Sequence, residues 1–132
     1  SAANAVAAWE NGASILDCGL MGMARSAGNL ATEMCVALMR RRGQMEDIDF
    51  YGMLDFIDQR LQPAMEQYKY HNPVPPLDLV LGYSGCHSSF VKQFKAAAAE
   101  KNVSLYRLIS EVSEINKKNP KPELIAEIAE SL

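Results

Sequence analysis

Apolar positions along the chain switch between two spacings, and the switches mark out the elements. Ala2 to Glu10 is an Ala-rich run that predicts the last turns of a helix beginning before residue 1. It is ended by Asn11-Gly12, where glycine can take the left-handed C-cap conformation. Ser14-Ile15-Leu16-Asp17 is a short apolar run closed by an acid, with glycines at 19, 22 and 28 behind it. That arrangement predicts a buried strand feeding a long glycine loop. From Asn29 the period becomes helical: Leu30, Met34 and Leu38, with Cys35 and Ala37, share one face. Arg40, Arg41 and Arg42 then sit where the helix dipole favours cations and read as a solvated helix end, with Gly43 as the stop.

Asp49 can cap a second helix, whose Phe50, Met53, Leu54, Ile57 and Leu61 recur at helical spacing until Pro63 ends or kinks it. His71-Asn72-Pro73-Val74-Pro75-Pro76 reads as a stiff, extended linker, because each proline restricts the residue before it. Leu77 to Gly82 is short and apolar, and helix is the preferred reading. Ser84 to Lys101 reads as one helix closing at Asn102, with Phe90, Phe94 and Ala97 on one side. Ser104 caps a helix lined by Leu105, Leu108, Ile109, Val112 and Ile115. Pro122 opens a last helix with Leu124, Ile125, Ile128 and Leu132 inward. No repeat of fixed period is present.

A lone strand cannot satisfy its own backbone groups, and no convincing second strand is visible. Residues 2–43 therefore read as α, β, α cut from a parallel β/α array. A (β/α)8 barrel needs about 250 residues, so only its end could lie here. The expected fold is mainly α: residues 1–43 as the last β/α part of a TIM barrel, and residues 44–132 as a helical domain.

Composition narrows the field. The 132 residues are 48% apolar and 22% charged, with a net charge of −3, which suits a chain with a real core and argues against disorder. No basic run exceeds Arg40-Arg41-Arg42, so the footprint of a nucleic-acid binder is missing. The longest uncharged stretch, Leu79 to Val91, is interrupted by Gly82, Tyr83, Ser84 and His87 and is too short to cross a bilayer. No targeting peptide is readable, and the chain does not begin with Met, which suggests processing or cutting. Cys18, Cys35 and Cys86 are an odd set without a CxxC pair, as expected of a reducing cytoplasm.

The stretch from Asp17 to Asn29 carries the most chemistry, because loops at the carboxyl ends of barrel strands form the sites and glycines let backbone approach a ligand. Asn11-Gly12-Ala13-Ser14-Ile15-Leu16-Asp17, the glycine loop and Ala27-Gly28-Asn29-Leu30-Ala31-Thr32-Glu33 resemble the last strand and loop of the HMG-CoA lyase-like metal-dependent aldolases. Leu81-Gly82-Tyr83-Ser84-Gly85-Cys86-His87-Ser88-Ser89-Phe90 resembles the signature of the 4-hydroxy-2-oxovalerate aldolase branch. The likeness covers nearly the whole chain.

That resemblance implies a Mn²⁺- or Mg²⁺-dependent cleavage of a 4-hydroxy-2-oxo acid to pyruvate and an aldehyde. A divalent ion on the keto acid would stabilise the enolate, a base would take the 4-hydroxyl proton and an acid would return one. It also implies a communication domain at residues 44–132 that docks an acylating aldehyde dehydrogenase. The family's metal ligands, an early Asp and an HxH pair, have no counterpart here; His71 and His87 lie on unlike elements and cannot replace them. The chain alone is therefore expected to bind no metal and to be inactive by itself.

Within the resemblance, Asn29 is a metal or near-metal residue, and a helix N-cap as well. Glu33 supports the loop by hydrogen bonds, Asp17 acts on the site or fixes the loop, and Arg25 meets an anionic substrate or solvent. His87 stands where the relatives carry a Tyr proposed as the acid, and Tyr83, shared with them, would lie one helical turn away. The bland reading of His87 is packing or solvation. The seven methionines read as core filling; without the rest of a barrel some would be exposed and favour homo-oligomers. Two other readings stay open: an independent helical interaction module without chemistry, and a related lyase acting on a different 2-oxo acid.

Overall fold

The computed structural model describes residues 2–25 and 27–132; Ser1 and Ser26, the latter in the glycine loop, lie outside the described residues. The protein is mainly helical, and it divides into two compact units, Ser1–Pro75 and Pro76–Leu132. The division falls inside the proline-rich segment, whereas helices on the two sides of Gly43 pack together in the first unit.

In the first unit, α1 (Ala2–Glu10) packs against α2 (Thr32–Arg40), and α2 packs against α3 (Phe50–Phe56). Between α1 and α2 lie two short strands, β1 (Cys18–Gly19) and β2 (Leu30–Ala31). They pair in parallel, Cys18 opposite Leu30 and Gly19 opposite Ala31. Their connection holds a 3-10 turn, Leu20–Gly22, in place of the helical crossover usual between parallel strands. Leu30, Cys35 and Met39 form a buried cluster, against which Val6, Trp9, Leu16 and Cys18 pack.

Several expectations need correction. The strand expected at Ser14–Asp17 does not form: Ile15 is 84% exposed, and pairing begins at Cys18, where β2 supplies a partner. Leu16 does turn inward, so the period of two survives without the ladder. The helix expected from Asn29 starts at Thr32, because Leu30 and Ala31 are used as the second strand, with Ala31 extended at φ −67°, ψ 129°.

The helix expected to end or kink at Pro63 does not end there, and its regular α pattern is broken just ahead of the proline. A π turn, Ile57–Leu61, leads into α4 (Gln62–Glu66), and the Gln62 N–H reaches Ile57 O, five residues back. Widening the turn there adapts the backbone just ahead of a residue that has no N–H to give. At the start of α3, Asp49 Oδ1 accepts the Gly52 N–H at 3.0 Å, the cap its residue type predicts. Arg40 is not simply solvated: its Nη1 donates to Glu46 O at 3.2 Å and Ile48 O at 3.0 Å, and its guanidinium lies 5.9 Å from the Phe50 ring centre. It ties the α2–α3 connection to the helix end.

The second unit is four helices: α5 (Pro76–Ser84), α6 (Val91–Lys101), α7 (Leu105–Asn116) and α8 (Pro122–Ser131). α7 packs against the other three and buries Leu108, Ile109 and Val112. Ile115, expected on that face, is exposed because the stripe leaves the core in the last turn. Ser104 caps α7, and Asn102 closes α6 in the left-handed conformation at φ 54°. The helix expected from Ser84 to Lys101 is broken: Gly85 takes φ +68°, and a 3-10 turn at Ser88–Phe90 precedes α6. Among the described residues no helix is long and apolar enough to cross a membrane.

Candidate functional site

The glycine loop between β1 and β2 is built around a methionine in an unusual backbone state. Met21 lies at φ 56°, ψ 13°, a left-handed conformation that L-residues avoid, and its side chain is wholly buried. Three side chains hold it there. Glu33, in the first turn of α2 and 1% exposed, accepts the Met21 N–H at 3.1 Å through Oε2. Tyr70 donates its hydroxyl to Met21 O at 2.8 Å. Asn72 donates through Nδ2 to Glu33 Oε1 at 3.1 Å, while its own Oδ1 accepts the Val74 N–H.

The loop closes on itself where the Asn29 N–H donates to Gly22 O at 2.9 Å. That closure leaves no room for side chains: a Cβ on Gly28 would sit 2.9 Å from Gly22 O, and both glycines have positive φ. Their glycine identity is thus required by close approach as well as by conformation. Beside the loop is a cavity of about 250 Å³, lined by Met21, Gly28, Asn29, Met34, Tyr70 and Val74 among others.

The expected site residues divide between the two units. Glu33 has the loop-supporting hydrogen bonds expected of it. Asn29 is exposed, lines the cavity and accepts the Leu30 N–H at 2.8 Å; the N-cap position of α2 is Ala31, so Asn29 does not cap the helix. Asp17 and Arg25 are exposed. Tyr83 lies in the last turn of α5, and His87 lies beyond the helix end, in the second unit. One helical turn does not separate them, because Gly85 interrupts the helix. His87 is exposed; its Nδ1 accepts the Ser89 N–H at 3.2 Å and lies 2.9 Å from Ser89 Oγ, so the ring caps the 3-10 turn. With Nδ1 used as an acceptor, the neutral ring carries its proton on Nε2.

Sequence reasoning missed Met21, Tyr70 and Asn72. Met21 lies in the glycine loop that the sequence marked, whereas Tyr70 and Asn72 lie at or beside the segment read as a linker. Burial pushes the Cys35 thiol up, helped by the adjacent Cys18 thiol, and burial likewise raises Cys86 against an opposing hydrogen bond with Ser113. Neither is set up as a nucleophile. No group of three or more His, Cys, Asp or Glu suited to a metal ion occurs among the described residues. The amide oxygen of Asn29, already accepting one backbone N–H, does not make a metal site by itself.

Residues 1–59, which include the glycine loop, match the HMGL-like family model. Across 98% of its length the chain is 32% identical to 4-hydroxy-2-oxovalerate aldolase 2 of Nocardia farcinica. It is 31% identical over the same share to the 4-hydroxy-2-oxovalerate aldolase of Moorella thermoacetica, and 37% identical over 83% of its length to that of Desulfitobacterium hafniense. The chain is thus similar to the 4-hydroxy-2-oxovalerate aldolases over nearly its whole length, and to the HMGL-like family over its first 59 residues. It spans 37%, 38% and 32% of the lengths of those three relatives. No solved structure gives a significant match.

Proposed function

We propose that the chain acts as the carboxy-terminal portion of a metal-dependent aldolase that cleaves a 4-hydroxy-2-oxo acid to pyruvate and an aldehyde. The observation that carries this reading is the conjunction of aldolase similarity over 98% of the chain with a glycine loop braced by Glu33 and presenting Asn29 to a cavity. In the reaction, a base removes the 4-hydroxyl proton, the bond between carbons 3 and 4 breaks to release the aldehyde, and an acid protonates carbon 3 of the remaining enolate to give pyruvate.

In this reading the cation, Mn²⁺ or Mg²⁺, is held chiefly by residues outside this chain, and the chain by itself is inactive. Asn29 adds a neutral oxygen at the rim of the site, Asp17 supports the site or fixes the loop, and Arg25 meets the anionic substrate. His87 returns the proton, with Tyr83 as the other candidate. Residues 44–132 form the communication surface for an acylating aldehyde dehydrogenase, in a cytoplasmic homo-oligomer.

The test is release of pyruvate from 4-hydroxy-2-oxo acids, with Mn²⁺ and after chelation, by this chain alone and combined with the preceding barrel portion of a relative. Activity in the combined protein that chelation abolishes supports the reading. Activity indifferent to chelation defeats the metal-dependent mechanism. No activity in any combination leaves the helical interaction module as the better reading.

A further inference from the structure

Asn72, in the segment expected to be a linker, and Tyr70, just before it, are both fastened to the glycine loop. Tyr70 Oη reaches Met21 O at 2.8 Å, and Asn72 Nδ2 reaches Glu33 Oε1 at 3.1 Å. We propose that Tyr70 and Asn72 are positioning residues for this loop, holding Asn29 at the cavity rim by way of Met21 and Glu33.

The geometry leads from one end to the other in a few steps. A residue's φ and ψ are set by the two peptide planes that flank it. Glu33 fixes the plane before Met21 by taking its N–H, and Tyr70 fixes the plane after it by donating to its carbonyl. Together they hold Met21 at φ 56°, ψ 13°, a state it would otherwise leave. The next carbonyl, that of Gly22, accepts the Asn29 N–H at 2.9 Å. A change at Met21 therefore moves the anchor of Asn29 directly.

Asn72 acts one step further back. Its Oδ1 is occupied by the Val74 N–H at 3.1 Å, which turns Nδ2 toward the Glu33 carboxylate and orients the oxygen that serves Met21. Asn72 is only 8% exposed, so water is a poor substitute for either bond. Tyr70, Asn72 and Val74 also line the cavity together with Gly28 and Asn29, so the same two fastenings bear on its shape. Displacements of about 1 Å at such distances from the chemistry can cost a hundredfold in rate.

The kinetic arm of the test rests on the aldolase reading; the exchange arm does not. Tyr70→Phe and Asn72→Ala are compared with Tyr68→Phe, a change at an exposed tyrosine, in the intact protein. Backbone hydrogen exchange should quicken about tenfold at residues 20–25 and 27–29 in the first two variants, the scale of one lost hydrogen bond, and outside the loop only at Val74 in Asn72→Ala, which loses its acceptor. Tyr68→Phe should leave it unchanged.

In the pyruvate-release assay of the protein combined with a relative's barrel portion, the two variants should raise KM severalfold as well as lower kcat. A smaller folded fraction would lower kcat alone. Unchanged loop exchange, exchange that quickens throughout the unit, or an unaltered KM overturns the proposal. If the unsubstituted protein releases no pyruvate, the aldolase reading falls, and the exchange result decides the positioning role by itself.

Discussion

Glu33 reaches back from the first turn of α2 to the amide of Met21, 3.1 Å away, and through that bond the helix dictates the shape of the loop in front of it. The carboxylate also accepts from Asn72. Glu33→Ala would leave two donors in a buried place without partners, each costing about 1–3 kcal/mol, so a loss of about 2–6 kcal/mol is expected. Glu33→Gln keeps one acceptor and should lose about half as much. Urea midpoints at constant slope measure both.

Met21 sets two effects against each other. Met21→Gly relieves a left-handed conformation worth roughly 1–2 kcal/mol. It also empties a wholly buried site, and deleting a buried Met side chain costs about 2–5 kcal/mol. Burial wins, and a net loss of about 1–3 kcal/mol is expected from denaturant unfolding. A stabilised Met21→Gly protein would show that the side chain contributes little to the core.

Two glycines should respond in opposite directions. At Gly28, φ is +83° and an added Cβ would meet Gly22 O at 2.9 Å, so Gly28→Ala must break the loop closure and should cost about 2 kcal/mol or more. At Gly82, inside α5, nothing lies within 4 Å of an added Cβ. Gly82→Ala should stabilise by about 0.5–1 kcal/mol through helix propensity. Thermal unfolding of the pair reads both signs.

How much of this was legible depends on whether a signal was local. The caps at Asp49 and Ser104 and the close of α6 at Asn102 follow from residue type within one turn, and each is found where the sequence puts it. The role of Glu33 came from the resemblance together with its place one turn into the helix. Pairing was not legible: nothing in Leu30-Ala31 distinguishes a two-residue strand from a helix start, because only the partner Cys18-Gly19 makes the difference. Tyr70 and Asn72 act over separations of 49 and 39 residues, and a hydrogen bond at that range leaves no periodic trace.

The buried thiols give a pH dependence. Cys35 and Cys86 are both raised by burial, so in the folded state they ionise later than in the unfolded chain. Below the ordinary thiol range, about 8.5, both states are protonated and the contribution to stability is fully present. As pH rises beyond it the unfolded chain loses protons first, and stability falls until the folded thiols also ionise. Urea midpoints between pH 7 and 10 should therefore drop more steeply for the unsubstituted protein than for a Cys35→Ala, Cys86→Ala variant. Equal slopes would mean the thiols titrate alike folded and unfolded.

His87 has two separable properties, an imidazole that can exchange protons and an Nδ1 that accepts the Ser89 N–H at 3.2 Å as the cap of the 3-10 turn. His87→Asn keeps a capping acceptor, since Asn ranks among the best N-caps, but removes the titrating group. His87→Phe removes both and should cost about 1 kcal/mol of stability in addition. If His87 returns the proton to the enolate, both variants lower kcat for pyruvate release by about 10²–10⁴-fold, the usual scale for a lost general acid. Loss confined to His87→Phe would assign the residue to capping alone, and unchanged turnover in both would leave Tyr83 as the acid to be tested next.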